Sequence, residues 1–204
     1  PQAARAQILV ARDEHERLFG RPPKGMWLPE CGYYPDVDEY LAEAGARYFF
    51  VESHGLLNSC PAPVRSLYAP VVCQSGVAAF ARDLESSQQV WSADHGYPGD
   101  PVYREFYWDI GFELDTDYLS PVLGHLPSRA HTGFKYHRIT GKTEHKDVYS
   151  PSAAAHQARV HAGNFAFNRA RQIEHLSNSL DRPPIVVAPY DAELFGHWWF
   201  EGPV

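Results

Sequence analysis

Trp27-Leu28-Pro29-Glu30-Cys31-Gly32-Tyr33-Tyr34-Pro35 follows an apolar run that begins at Gly25. The run ends in a proline and then a carboxylate, and aromatics with a second proline come at once. A buried strand has this form where it stops and delivers an acidic side chain to the rim of a sheet. In α/β folds the carboxyl ends of strands are where chemistry sits. Glu30 is therefore read as the centre of a site. Capping of the turn that follows is the competing role for a lone strand-end carboxylate.

Working outward, residues 3–18 repeat apolar side chains at three-and-four spacing, and Gly20 with Pro22-Pro23 ends that helix. On the other side Asp36 opens a helix over 37–44, with Gly45 as its stop. Arg47-Tyr48-Phe49-Phe50-Val51 is an aromatic, β-branched strand. A strand–helix–strand unit predicts a parallel sheet and an α/β fold. The second strand runs into Glu52-Ser53-His54-Gly55, which puts His54 on the same rim.

Residues 56–70 read as loop, followed by short strands at 71–73 and 77–80 and a helix from Asp83 to Trp91 capped by Asp83. Residues 92–101 read as a long lid or binding loop with Tyr97 near its tip. Residues 102–149 resist a regular pattern and read as an elaborated insertion on the face that carries the site, Trp108 included. Ser150-Pro151 opens a long helix to about Leu180. Ile185-Val186-Val187-Ala188 reads as a short strand of a sheet covered on both faces. It runs into Pro189-Tyr190-Asp191-Ala192-Glu193-Leu194-Phe195-Gly196-His197-Trp198-Trp199, a second carboxylate at a strand end. For Asp191 the competing role is the N-cap of a following helical turn.

The 204 residues suffice for one sizeable core, so a single domain over 1–204 is expected. Apolar content of 44% against 21% charged places the chain among folded proteins. The net charge of −7, with no basic block, argues against nucleic acid, and no stretch is long and apolar enough for a membrane. Three cysteines at unrelated spacings, Cys31, Cys60 and Cys73, fit a reduced, cytoplasmic protein. Cys31 beside Glu30 reads as packing, because no activating base stands near it in sequence. His131, His137 and His145 are irregularly spaced, so no metal and no cofactor is expected.

Five Trp and twelve Tyr make an aromatic-rich chain, suited to platforms for sugar rings. Two strand-end carboxylates with such platforms are what glycoside chemistry needs. One carboxylate attacks or stabilises an oxocarbenium-like centre while the other protonates the departing oxygen. Near Asp191, Glu193 would supply the negative charge and Trp198 the desolvation that help an acid keep its proton.

These stretches resemble a known family. Residues 27–33 are similar to the nucleophile motif of glycoside hydrolase family 57, and residues 188–199 to its acid/base motif. Within that family the middle of the chain resembles the 1,4-α-glucan branching enzymes, through Trp91-Ser92, Gly96-Tyr97-Pro98-Gly99-Asp100, Tyr103-Arg104-Glu105-Phe106-Tyr107, Asp109-Ile110-Gly111 and His131-Thr132-Gly133-Phe134-Lys135-Tyr136. The resemblance implies an incomplete (β/α)7 barrel and a retaining mechanism without metal, acting on α-1,4-glucan donor and acceptor chains. It implies Glu30 as nucleophile and Asp191 as general acid/base, with Glu193 and Trp198 lining the donor site. Trp27, His54, Tyr97 and Trp108 are further expected substrate contacts.

The family's first motifs would lie before residue 1, and its C-terminal helical region would lie after Val204. A piece of one catalytic domain, truncated at both ends and inactive without the missing strands and helices of its own parent chain, is therefore expected. An α-amylase or 4-α-glucanotransferase of the same family is the nearest alternative. A metal-dependent polysaccharide deacetylase and a catalytically inactive glucan-binding fragment are the others.

Overall fold

A computed structural model describes residues 2–124 and 129–204. The chain forms two compact units, Pro1–Leu84 with Ala170–Pro189 and Glu85–Arg169 with Tyr190–Val204. The expected insertion over 102–149 includes 125–128, which lie outside the described residues.

The first unit is built on a four-stranded mixed sheet in the order β1-β2-β4-β3. β1 (Gly25–Trp27), β2 (Tyr48–Val51) and β4 (Ala78–Ala81) are parallel, and β3 (Val71–Val72) pairs antiparallel with β4. Side chains alternate across the sheet. Phe49, Val51, Ala79 and Ala81 are buried with Leu28, while Tyr48, Phe50 and Phe80 form an aromatic cluster on the other face. Gly25 opens β1 because the ring of Tyr48 lies across it, and a Cβ there would stand 2.2 Å from that ring. α1 (Gln2–Phe19) and α2 (Val37–Glu43) bury Ile8, Val37 and Leu41 in the same core. The Arg5 guanidinium pairs with Glu43 across them.

Two expectations change in this unit. The loop expected over 56–70 begins later, because Ser53–Leu57 forms α3, with Ser53 and Leu56 buried. Residues 185–188 form no strand. They are tied by two backbone hydrogen bonds, Ile185 N–H to Tyr68 O at 2.9 Å and Asp83 N–H to Val187 O at 2.8 Å, without a continuous ladder. Ile185 is exposed, so this apolar run is not covered on both faces as expected.

In the second unit Val90 of α4 (Leu84–Trp91), Tyr103, Leu194, Trp199 and the alanines 154 and 158 of α7 (Pro151–Ser179) make the core. Residues 92–101 are no free loop. Ser92 Oγ accepts the N–H groups of Asp94 and His95 at 3.2 and 3.0 Å, Gly96 N–H closes on Ser92 O, and Tyr97–Gly99 form a 3₁₀ turn. A Cβ on Gly99 would lie 1.8 Å from Ala93 O, so only glycine allows this approach. Tyr97 does not stand at a tip. Its ring stacks on His161 at 4.6 Å and its hydroxyl donates to Asn164 Oδ1 at 2.8 Å.

The region 102–149 holds α5 (Ile110–Glu113) and α6 (Thr116–Leu123) and is pinned by one buried carboxylate. Asp109 accepts from Gly111 N–H at 2.9 Å, Thr132 Oγ1 at 2.8 Å, Thr132 N–H at 3.0 Å and Gly133 N–H at 2.8 Å. Two segments far apart in sequence, 109–111 and 131–133, thereby become one device. Burial alone would push the carboxyl pKa up, but these donors outweigh it and hold it at about 2, below its ordinary 3.8.

A depressed carboxyl pKa stabilises the fold above its unfolded value, and that contribution disappears as pH falls from about 4 to about 2. Asp109→Asn is therefore expected to cost about 2 kcal/mol at neutral pH, read by urea unfolding, with the gap to wild type closing over that acid window. Gly99→Ala is expected to destabilise by about 1–3 kcal/mol through overpacking against the Ala93 carbonyl, seen as a lower melting temperature. An unchanged melting temperature would mean that the turn at 97–99 is not packed as described.

Candidate active site

In the first unit, β1 gives way to a 3₁₀ turn over Pro29–Cys31. Pro29 starts it, as its missing N–H permits. The turn closes by backbone alone, with Cys31 N–H on Leu28 O at 3.0 Å and Gly32 N–H on Pro29 O at 2.9 Å. Glu30 sits at φ 53° and ψ 26°, and Cys31 at φ 53°. Two successive non-glycine residues thus occupy the left-handed region, which is uncommon and costs free energy. The Glu30 side chain is exposed, and no hydrogen-bond partner holds its carboxylate among the described residues. It does not cap the turn that displays it.

The neighbours of Glu30 in the sequence each have a structural task. Trp27 Nε1 donates to Cys31 Sγ at 3.1 Å, and the buried Cys31 thiol also lies 3.8 Å from Arg82 Nη2. Burial pushes the Cys31 pKa up, with Trp27 and Arg82 opposing, so the thiol is held as a protonated packing group. Arg82 pairs with Glu52 at 3.2 Å and lies over the Trp27 ring, 5.7 Å from its centroid. Tyr33 ends the stretch by stacking on Phe49 and donating to the buried Asp38 of α2 at 3.1 Å. Its phenol is pushed up to about 12, by burial first and then by Asp38.

Trp27, Val51 and Ala81 end three parallel strands, so Glu30, Glu52 and Arg82 emerge on one rim. His54 follows Glu52 in the first turn of α3, exposed. Arg82 escaped the sequence reading as a member of the Glu30 surroundings, whereas Cys31 is the packing group expected beside Glu30 and Glu52 lies on the expected rim. The strand before Arg82 was legible, but which strand it would neighbour was not.

The second unit carries the other carboxylate. Asp191 is exposed and extended, and its side chain makes no capping hydrogen bond to the 3₁₀ turn Ala192–Leu194 that follows. Tyr190, Leu194 and Trp199 anchor the segment. Tyr190 Oη donates to Ser86 O at 2.9 Å, and Leu194 and Trp199 are buried. Trp199 N–H donates to Leu194 O and Gly196 N–H to Trp199 O, both at 2.8 Å, which folds the motif back on itself. The positive φ of 94° at Gly196 makes that reversal possible. Trp199 is therefore core, not platform.

Asp191, Glu193 and Trp198 stay outside. Trp198 Nε1 donates to Glu193 Oε1 at 3.3 Å, and its ring stacks on Phe106 with centroids 4.7 Å apart. A groove of about 470 Å³ runs along this face, lined by Trp91, Arg104, Phe106, Tyr107, Leu194 and Trp198 among others. Such a surface offers flat apolar faces beside polar groups, which suits a sugar ring. Trp108 is half-buried elsewhere in this unit, edge-on to His137 and under Lys146. Tyr97 is tied to α7 as described. The expected residues thus divide, with Trp27, Glu30 and His54 in the first unit and Tyr97, Trp108, Asp191, Glu193 and Trp198 in the second. Phe106, Tyr107 and Arg104, which the sequence reading did not single out, join Trp198.

Among the described residues no three His, Cys, Asp or Glu side chains converge as a metal site requires, and no helix is long and apolar enough to cross a membrane.

Comparison with known proteins agrees with the motifs. A 1,4-alpha-glucan branching enzyme of Thermococcus kodakarensis is 36% identical over 98% of this chain, which covers 31% of that enzyme. The chain thus spans about a third of that relative's length. The crystal structure of the alpha-amylase AmyC of Thermotoga maritima superposes with a TM-score of 0.88 at 45% identity, covering all of this chain and 40% of that one. A GH57-type branching enzyme of Pyrococcus horikoshii gives 0.80 at 37% identity, covering 99% of this chain and 37% of that one. These structures share the α/β fold with the mixed four-stranded sheet. The model of glycosyl hydrolase family 57 matches residues 1–199, and the chain belongs to that family.

Proposed function

We propose that the chain is the part of a 1,4-α-glucan branching enzyme that carries both catalytic carboxylates of a retaining reaction. The branching-enzyme relative, aligned over nearly the whole chain, is the observation that carries this reading. Glu30, displayed on the rim of parallel strands with its carboxylate unencumbered, would attack the anomeric carbon of an α-1,4-glucan. Asp191 would protonate the leaving chain, and then deprotonate the 6-hydroxyl of an acceptor glucan to make an α-1,6 branch. Trp198 and Glu193, joined by their hydrogen bond, would hold the donor sugar. Trp27, His54, Tyr97 and Trp108 would line the glucan path, Trp27 and Tyr97 chiefly by supporting the surfaces around them.

On this reading the sheet is part of an incomplete (β/α)7 barrel, 102–149 is an insertion on its active-site face, and the chain is part of one catalytic domain. Activity would need the further strands and helices of the longer enzyme. The likeness to AmyC favours a second reading, in which water takes the place of the acceptor hydroxyl and the product is hydrolysed glucan.

Linkage analysis of amylose treated with the longer enzyme separates the two. New α-1,6 bonds, released as short chains by a debranching enzyme, are expected. Shortened linear glucan alone would favour the amylase. In the same protein Glu30→Gln is expected to lower turnover by roughly 10⁴-fold or more, because the attacking group is lost. Its melting temperature should move by about 2 °C at most, because the side chain is exposed and unpaired. Near-normal turnover in that variant would reject Glu30 as the nucleophile.

A further inference from the structure

We propose that Arg82 is a positioning residue for Glu30, acting through the Cys31 thiol. This rests on the reading of Glu30 as nucleophile only for its effect on turnover, not for its effect on backbone.

The left-handed pair at Glu30 and Cys31 needs something to hold it. A conformation of this kind persists only where its surroundings over-determine it. Backbone hydrogen bonds close the turn at Leu28 and Pro29, yet they leave the direction of the Glu30 side chain to the conformation of the residue after it. Cys31 points inward, and its sulfur takes hydrogen bonds from two different strand ends, Trp27 Nε1 at 3.1 Å and Arg82 Nη2 at 3.8 Å. The Arg82 guanidinium is in turn fixed by Glu52 at 3.2 Å, at the end of a third strand.

β1, β2 and β4 each thereby send one group to a single sulfur-centred clamp. With Cys31 seated, its left-handed backbone turns the preceding Glu30 outward to the rim. Arg82 suits this role better than lysine. Its planar fork donates to sulfur and carboxylate at once, whereas a single ammonium cannot span both in that plane.

Three variants of the protein that carries this chain test the clamp, Arg82→Met, Cys31→Ala and the two combined. Crystal structures of the single variants are expected to show Glu30 and Cys31 leaving the left-handed region. For turnover of amylose, each single variant is expected to lower kcat by about 100-fold while KM stays within about twofold, as misplacement of an attacking group by an ångström does. The double variant is expected to be no worse than the weaker single one, because both substitutions break one contact.

Cys31→Ala keeps the measurement available should the half-buried arginine prove necessary for folding. Unchanged backbone at 30 and 31 in both single variants would overturn the clamp, and so would multiplicative losses of kcat in the double variant, whereas backbone movement with wild-type kcat would leave the clamp standing and reject Glu30 as the attacking group. If wild type turns over no glucan while the backbone still moves in the variants, the clamp stands and the nucleophile assignment falls.

Discussion

The seating of the Cys31 thiol between the Trp27 indole and the Arg82 guanidinium is the contact on which the Glu30 rim depends. Left-handed backbone at non-glycine residues costs of order 1–3 kcal/mol each, and here two such residues are adjacent. Glycine at position 30 would relieve the cost but would remove the carboxylate. The sequence keeps the acid, and the fold supplies the constraint. Parallel pairing of β1, β2 and β4 makes that constraint possible, because it brings three strand ends to the same side without a local turn between them.

The second unit solves a similar problem with different means. Asp191, Glu193 and Trp198 are kept at the surface by burying the residues between and after them. Leu194 and Trp199 enter the core, Gly196 reverses the chain, and Tyr190 is tied to the backbone of α4. Asp109 has the same logic on a larger scale, since one buried carboxylate gathers the N–H groups of two segments and fixes a region with little regular structure. Both arrangements use hydrogen bonds to satisfy a buried or constrained group, which leaves the outward-facing side chains free for a ligand.

Much of this is legible in the amino-acid sequence. The helices over 3–18 and 152–180, the strand–helix–strand unit and the termination of β1 at a carboxylate follow from periodicity and from Gly and Pro punctuation. The strand expected at 185–188 fails because an apolar run establishes only that a segment is buried or extended, while a strand also needs a neighbour along its length. The short α3 at Ser53–Leu57 has too few residues to show a period.

Tyr97 illustrates a different gap. Glycines and prolines around it mark a turn, but only the close approaches of Gly96 to the Gln88 and Gln89 carbonyls of α4, and of Gly99 to Ala93 O, show the turn folded back on that helix. Arg82 was the least legible of all, because its partners Cys31 and Glu52 are 51 and 30 residues away in sequence and meet it only through strand order. Trp27, Cys31 and Tyr33 sit inside the motif that drew attention to Glu30, yet their tasks as donor, acceptor and anchor emerge from geometry alone.

On the proposed mechanism, the carboxylate displayed by this turn forms a covalent bond to sugar during the reaction. The most direct test is to trap the enzyme with a fluorinated glucosyl fluoride, which slows breakdown of a glycosyl-enzyme, and to locate the added sugar by peptide mass spectrometry. One sugar per chain is expected on the peptide holding Glu30, and none in Glu30→Gln. A sugar on a different side chain would contradict that mechanism, as would turnover of the probe with inversion and no adduct at any residue.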